Sequence, residues 1–236
     1  MENFTEMAKV LGIEVSFEQA KKFEIYMREL KSYNSHTNLT AITDDRGIMI
    51  KHFIDSLFLL KAVDIPMGAS MADIGAGAGF PGLPVLIMRP DIKLTAMDSV
   101  NKRITFLKHI TGMLEIKAEL VHIRAEDAGR KPEYRDSFDV VTARAVAYLP
   151  KLLEYCMPLV RVGGCFAAMK GPGAAIEIEE SSFAIERLGG KLLSIWHGQL
   201  PDGDERNIIM IKKVRKTDKL YPRTAKEIKD KQLTNS

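Results

Sequence analysis

The chain has 236 residues, 46% of them hydrophobic and 28% charged, with a formal net charge of +3. This length suits one main α/β domain with additions, or two small units, and the composition excludes wholesale disorder. Met1 is not followed by the basic start and apolar core of a secretory signal, and charges interrupt every apolar run before the ~20 residues that a membrane span needs, so a cytoplasmic, non-membrane protein is expected. Cys156 and Cys165 have no metal-type spacing and the five histidines form no paired ligand pattern, so neither a disulfide framework nor a metal site is predicted. The Asn38-Leu39-Thr40 sequon is read as a chance match. Charge is unevenly spread: from residue 206 to the end there are ten Lys or Arg against three Asp or Glu, a net of +7, leaving −4 for residues 1–205. A basic end on a mildly acidic body points to a polyanionic partner.

Ser16-Phe17-Glu18-Gln19 has the form of a capping box, and Phe17, Ala20, Phe23, Met27 and Leu30 recur at helical spacing, predicting a helix over 16–32 that ends in the polar stretch Tyr33–Thr40. A second helix is predicted over 45–61, carrying Ile48, Phe53, Leu57 and Leu60, with Pro66-Met67-Gly68 as a break. Beyond it the pattern alternates. Strands are predicted at 70–75, 92–97, 118–123, 138–143 and 164–169, separated by helical runs such as Ile104, Leu107, Ile110 and Tyr148, Leu152, Tyr155. This order implies a mainly parallel sheet covered on both faces. Two further strands, near 191–197 and 207–213, are joined through Pro201-Asp202-Gly203 and read as a closing antiparallel pair. The chain then divides into a helical extension (1–66), a ligand-binding α/β domain (67–214) and a basic C-terminal tail (215–236).

Between the first strand and its helix lies Asp73-Ile74-Gly75-Ala76-Gly77-Ala78-Gly79-Phe80-Pro81-Gly82. Such a turn lets a ligand contact backbone at the carboxyl end of the sheet, and residues 77–82 satisfy a dinucleotide pattern as well. Asp73 is the discriminating position. Placed at the strand end and aimed at the ligand, its carboxylate would meet a pyrophosphate as like charge but the ammonium and sulfonium of S-adenosylmethionine (AdoMet) as opposite charge, which favours AdoMet over NAD. Gly75, Ala76, Gly77, Gly79 and Phe80 are expected to line that site, with Phe80 more an anchor for the helix than a ligand contact. Asp98 ends the second strand and is placed to accept hydrogen bonds from ribose hydroxyls, with Ser99 beside it. Arg124-Ala125-Glu126-Asp127 after the third strand is the expected adenine wall, through Ala125 and Glu126.

With these residues in place the chain closely resembles the ribosomal RNA small-subunit methyltransferase G family, also called glucose-inhibited division protein B, within the class I AdoMet-dependent methyltransferases. The resemblance runs from Tyr33 to Leu233. Its marks are Tyr33-Asn34 with Asn38-Leu39-Thr40, His52 with Asp55-Ser56-Leu57, the glycine turn, Asp98-Ser99 with Lys102-Arg103 and Phe106-Leu107, Arg124-Ala125-Glu126, Arg144-Ala145, Lys170-Gly171 and Tyr221-Pro222-Arg223. The family usually has Trp where Tyr33 stands, and a glycine and prolines where this chain has Lys226, Ile228 and Gln232, which leaves room for a longer terminal helix.

The resemblance implies a seven-stranded Rossmann-like sheet, AdoMet as cofactor with S-adenosyl-L-homocysteine as product, and methylation at N7 of one guanine in the 530 loop of bacterial 16S ribosomal RNA. Its partner is then that RNA or the small ribosomal subunit, and the protein is taken as a monomer. Guanine N7 carries an exposed lone pair and needs no deprotonation. No general base is therefore required, in keeping with a sequence that offers no convincing acid–base pair. Arg144 also belongs to the expected AdoMet site. Arg144 and Lys170 are the expected catalytic groups, holding O6 or RNA phosphates, with an ion pair from Arg144 to Asp139 or Glu126 as its structural alternative. Further RNA contacts are expected at Asn38, Lys102, Arg103, Arg206, Lys212, Lys213, Arg215, Lys216, Lys219 and Arg223. About five neutralised phosphates on single-stranded RNA would give a salt slope of about −3.5. Asn38, His52 and Asp55 are read as shaping the mouth of the pocket. Two alternatives remain: an NAD-dependent oxidoreductase sharing the glycine turn, and a noncatalytic RNA-binding assembly factor.

Overall fold

The computed structural model of the protein describes residues 1–234. Its strands are β1 (Ser70–Ile74), β2 (Lys93–Asp98), β3 (Glu119–His122), β4 (Phe138–Arg144), β5 (Val160–Lys170), β6 (Gly190–Gln199) and β7 (Glu205–Lys213). They form one sheet in the order β3-β2-β1-β4-β5-β7-β6. The first five are parallel, β7 runs antiparallel to β5, and β6 closes the edge antiparallel to β7. This is the alternating architecture and closing hairpin expected from the sequence. Four of the five β1 residues and five of the six β2 residues are buried, as parallel strands covered on both faces must be. After β1 the chain builds outward through β2 and β3, then crosses back to place β4 on the other side of β1. That reversal leaves a crevice at the carboxyl ends of β1 and β4.

The helices are α1 (Glu2–Val10), α2 (Phe17–Thr37), α3 (Asp45–Gly47), a π-helical segment (Ile48–Ile54), α4 (Asp55–Ala62), α5 (Gly82–Met88), α6 (Asn101–Met113), α7 (Ala125–Ala128), α8 (Leu149–Cys156), α9 (Ala174–Arg187) and α10 (Ala225–Asp230). The Ser16–Gln19 capping box forms as its sequence predicts. Helix α2 continues five residues past its expected end because Tyr33 packs its ring on Phe106, with centroids 5.1 Å apart, drawing the polar stretch into the helix. Asn38 then ends it in a left-handed C-cap conformation (φ 51°). Helix α1 was not foreseen, since only Phe4 and Ala8 are buried along it.

The helical extension is packed onto one face of the sheet. Phe4, Tyr26 and Phe23 surround Phe53 with ring centroids 4.9–5.8 Å away, in the core that also holds Leu83, Leu94 and Phe106. Truncating Phe53 to Ala would cost about 3–5 kcal/mol. The predicted second helix is continuous but passes through the π segment, which buries Ile48, Met49, Ile50, Phe53 and Ile54 together and swings His52 and Asp55 toward the ends of β4 and β5.

The C-terminal segment, expected as a basic tail, contributes to the core on the opposite face. Tyr221 and Leu233 belong to that core, and Ile228 is fully buried. Arg135 clamps the segment by donating to the carbonyls of Tyr221, Thr217 and Asp218 as well as Gly129. Arg223 forms a two-pronged pair with the buried Glu154, both contacts 2.8 Å. Lys213 is completely buried, donating to Thr217 Oγ1 at 2.8 Å and to the Met157 carbonyl, with Asp136 at 3.4 Å; burial pushes its ammonium down to about 8. Lys213 is therefore an internal tie and not an RNA contact, because its amine has no path to solvent. Arg223 is likewise spent on Glu154. No helix among the described residues is long and apolar enough to cross a membrane.

Candidate active site

The glycine turn closes tightly under β1. The amides of Gly75 and Ala76 both donate to the Met97 carbonyl, at 2.9 and 3.1 Å, tying the turn to β2. Gly75 has φ 69°, and a Cβ there would sit 2.6 Å from Val146 Cγ2, so only glycine allows the loop after β4 to lie across it. Asp73 departs from the sequence reading. It is wholly buried, its Oδ2 accepts the Gly82 amide at 2.8 Å, and its Oδ1 has no hydrogen-bond partner within the protein. Burial pushes its carboxyl up to about 7. Asp73 lines neither crevice at the sheet edge: it pins the start of α5 from beneath, because the strand turns its side chain into the interior two residues before the turn opens at Gly75.

Two crevices open on this edge. The first, of about 310 Å³, lies over the ends of β1, β2 and β3. Gly75, Asp98, Ser99, Ala125 and Glu126 line it, as expected, with Ile74, Met97, Ile123, Arg124 and Val146. Asp98, 2% exposed, accepts from the amides of Gly77 (2.9 Å) and Val100 (2.8 Å), and Arg103 pairs with it at 3.2 Å. Arg103 Nη1 is shared between both oxygens, at 3.2 and 3.5 Å, so each already accepts two bonds and a ligand hydroxyl would take the place of Arg103. Arg103 was expected on RNA, but it sits on Asp98 instead. Tyr155 and Lys151 of α8 and Ala225 and Lys229 of α10 complete the rim.

The second crevice, of about 460 Å³, lies over β4 and β5 and is lined by Arg144, Lys170, Arg206, Lys51, His52 and Asp55, with Ile42, Ala145, Met169 and Gly171. Asp55, 4% exposed, is shared by two arginines: Arg144 Nη1 lies 2.8 Å from Oδ2 and Arg206 Nε 3.0 Å from Oδ1. The expected alternatives for Arg144, Asp139 and Glu126, are instead held by Arg161 and approached by Arg124. Lys170 is paired with Glu177 and donates to the Ala147 carbonyl, both at 2.7 Å. Lys51 meets Asp202 at 3.4 Å and Asp204 at 3.2 Å. Burial, aided by the Arg144 charge, lowers the His52 imidazole to about 4, so it is neutral at pH 7. Its Nδ1 faces the Lys51 carbonyl and its Nε2 the Thr40 hydroxyl at 2.8 Å, and since Thr40 Oγ1 already accepts the Ile42 amide, we assign the proton to Nδ1.

Adjacent residues divide the crevices. Ala145 lines the second and Val146 the first, and Ala145 takes a left-handed conformation (φ 56°) to make the step. Ala76, Gly77, Gly79 and Phe80 line neither crevice. Phe80 is stacked between His52 (centroids 4.5 Å) and Tyr26 (5.3 Å), with the Arg144 guanidinium 5.2 Å from its ring, so it joins the turn to the helical extension. Asn38 is an exposed cap and Lys102 donates to the Thr37 carbonyl at 2.9 Å, and neither reaches a crevice. Lys212 donates to the Gly163 carbonyl, while Arg215, Lys216 and Lys219 are exposed. Sequence reasoning missed Lys51, Lys151, Tyr155 and Lys229. Lys51 adjoins the His52 motif and was within reach; the other three have no local signal, because only the packing of α8 and α10 brings them to the rim.

The architecture recurs in a solved structure of M. jannaschii TYW2 in complex with AdoMet, at 13% identity and a TM-score of 0.52 over 74% of this chain and 80% of that one. Strand order, glycine turn and edge crevice together define the class I methyltransferase fold. The sequence profile of the rRNA small subunit methyltransferase G family matches residues 19–209. Proteins named ribosomal RNA small subunit methyltransferase G are 43% identical over 228 residues in Clostridium botulinum (96% of this chain, 95% of that one) and 47% identical over 222 residues in Desulforamulus reducens (92% of each). The chain belongs to the rRNA small subunit methyltransferase G family.

Proposed function

We propose that the protein transfers a methyl group from AdoMet to N7 of a guanine in the 530 loop of bacterial 16S ribosomal RNA, with the cofactor in the β1–β3 crevice and the base in the β4–β5 crevice. The observation that carries this reading is the pair of crevices separated by Ala145 and Val146, a short divider across which a donor and an acceptor can meet. The lining suits AdoMet: Asp98 would accept a ribose diol in place of Arg103, and Gly75, Ala125 and Glu126 line the same crevice.

When bound, AdoMet would supply an electrophilic methyl on a sulfonium; the N7 lone pair would take it as the carbon–sulfur bond breaks, leaving neutral S-adenosyl-L-homocysteine and the positive charge on the purine. No proton has to leave, and no group of the second crevice is asked to take one. His52 is neutral, but its acceptor nitrogen is already engaged by the Thr40 hydroxyl. Arg144 and Arg206 would hold O6 or a phosphate while Asp55, set between them, offsets their charge and keeps it from opposing the purine cation. Lys170, steadied by Glu177, would hold a second anionic group. Holding N7 in line with the methyl and sulfur recovers about 7–11 kcal/mol of barrier when reactants are well oriented.

The test is methyl transfer from labelled AdoMet to ribosomal RNA or small subunits from a strain lacking this protein, with mapping of the modified base. Label at guanine N7 in the 530 loop supports the proposal; label elsewhere, or none, removes it. Calorimetry with AdoMet against NAD decides the cofactor independently.

A further inference from the structure

The lysines of the two crevices differ in one respect, and Arg124, the other cation of the β1–β3 crevice, lies 3.8 Å from Glu126. Lys51, Arg144, Lys170 and Arg206 each meet a carboxylate of the protein. At the rim of the β1–β3 crevice, Lys151 and Lys229 meet none among the described residues. Lys151 instead lies over the Tyr155 ring, 5.6 Å from its centroid, and Lys229 is exposed on α10. They reach one rim from positions 78 residues apart in the chain by a built arrangement. Thr224 and Glu227 cap α10 reciprocally, Ile228 anchors it in the core, and Arg223, just before it, grips Glu154 on the helix that carries Lys151.

Two ammonium groups held at one mouth without a counterion repel each other, and an anion placed between them relieves that repulsion. The floor of the crevice is acidic through Asp98 and Glu126, so the anion belongs at the rim. We propose that Lys151 and Lys229 form a grip for one phosphodiester of the RNA strand, with Tyr155 as an aromatic face beside it, so that RNA lies across the cofactor crevice while its target base occupies the neighbouring one. This rests on the methyltransferase reading above. Bound RNA then covers the cofactor, which can leave only after the RNA does.

The experiment compares the wild-type protein with a Lys151→Gln/Lys229→Gln double variant, using a 530-loop RNA fragment as probe over 50–200 mM salt, and measures release of labelled AdoMet with and without saturating RNA. Loss of one phosphate contact makes the slope of log affinity against log salt less negative by about 0.7, with RNA affinity weaker by roughly 5–10-fold. RNA slows AdoMet release from the wild type and has lost that effect on the double variant, whose melting temperature and AdoMet affinity in the absence of RNA stay close to wild type. Unchanged RNA affinity and slope overturn the grip. So does a variant that loses AdoMet affinity without RNA, which would make the lysines cofactor contacts. The salt slope is read without cofactor, so absence of AdoMet binding by the wild-type protein would sink the methyltransferase reading while leaving the grip separately decided.

Discussion

The β1–β3 crevice and the β4–β5 crevice share one sheet edge and have opposite electrostatic designs. In the first, acidic groups form the floor, Arg124 approaches Glu126, and two lysines without a carboxylate partner among the described residues stand at the rim. In the second, four cations crowd the wall and each is tied to a carboxylate of the protein. Under the proposed function, this is how several positive charges would be held ready beside a base that itself becomes cationic. Pairing the arginines through Asp55 fixes their geometry and limits the field they project, whereas rim lysines left free can take up a phosphate without first giving up a partner.

Changes at the second crevice are expected to have the largest effect. Arg144→Ala lowers methyl transfer by about 100-fold or more while AdoMet affinity remains within about two-fold of wild type, as expected when one aimed cation is removed from an otherwise intact site. Single-turnover assays with calorimetry check this, and a variant that loses AdoMet instead would merge the two crevices into one site. Asp55→Ala strands two arginines whose side chains are only 14% and 19% exposed, and costs about 3 kcal/mol of stability, the lower end for breaking a buried pair. Urea denaturation measures it, with Asp55→Asn expected to cost less.

At the first crevice the effects are smaller. Gly75→Ala forces a Cβ into Val146 at a left-handed position, a conformation that alone costs about 1–2 kcal/mol, so the divider shifts and AdoMet binds roughly 10-fold more weakly. Wild-type affinity for AdoMet in that variant would show that the divider does not shape the cofactor site.

Asp73→Asn has the smallest expected effect on AdoMet binding, and its effect is read in stability against pH. The folded protein holds the Asp73 proton up to about pH 7 whereas the unfolded chain releases it near 3.8, so the folded state binds the extra proton and stability falls as pH rises through that interval, then levels off. The asparagine variant lacks this decline and melts higher than wild type at pH 8, with AdoMet affinity little changed. His52 acts in the opposite sense, since its folded value of about 4 lies below the ordinary 6.5 and stability is lost as pH falls through that range. The two slopes oppose each other between pH 4 and 6.5, so the melting temperature of each single variant is followed from pH 4 to 8. An unaltered pH profile in Asp73→Asn would mean the carboxyl is not desolvated.

Period and punctuation in the chain carry most of the fold. Seven strands, the glycine turn, the Ser16 cap and the closing hairpin were legible because each depends on neighbours a few residues away: alternating burial, a capping side chain, a turn residue. Asp98, Ser99, Ala125 and Glu126 were legible for the same reason, since residues at the ends of parallel strands share the sheet edge whatever else surrounds them. The direction of a single side chain and the partner of a single charge were decided only by packing between distant segments. Whether Asp73 faces ligand or interior turns on how α5 closes over β1, and Lys213 is buried because Arg135 and Glu154 draw the C-terminal segment into the core. Arg144 finds Asp55, 89 positions away, through a π-helical segment whose phase no hydrophobic pattern records. Local propensity acts over one turn or one strand, but a charge is settled by whichever groups the finished fold sets within a few ångströms of it.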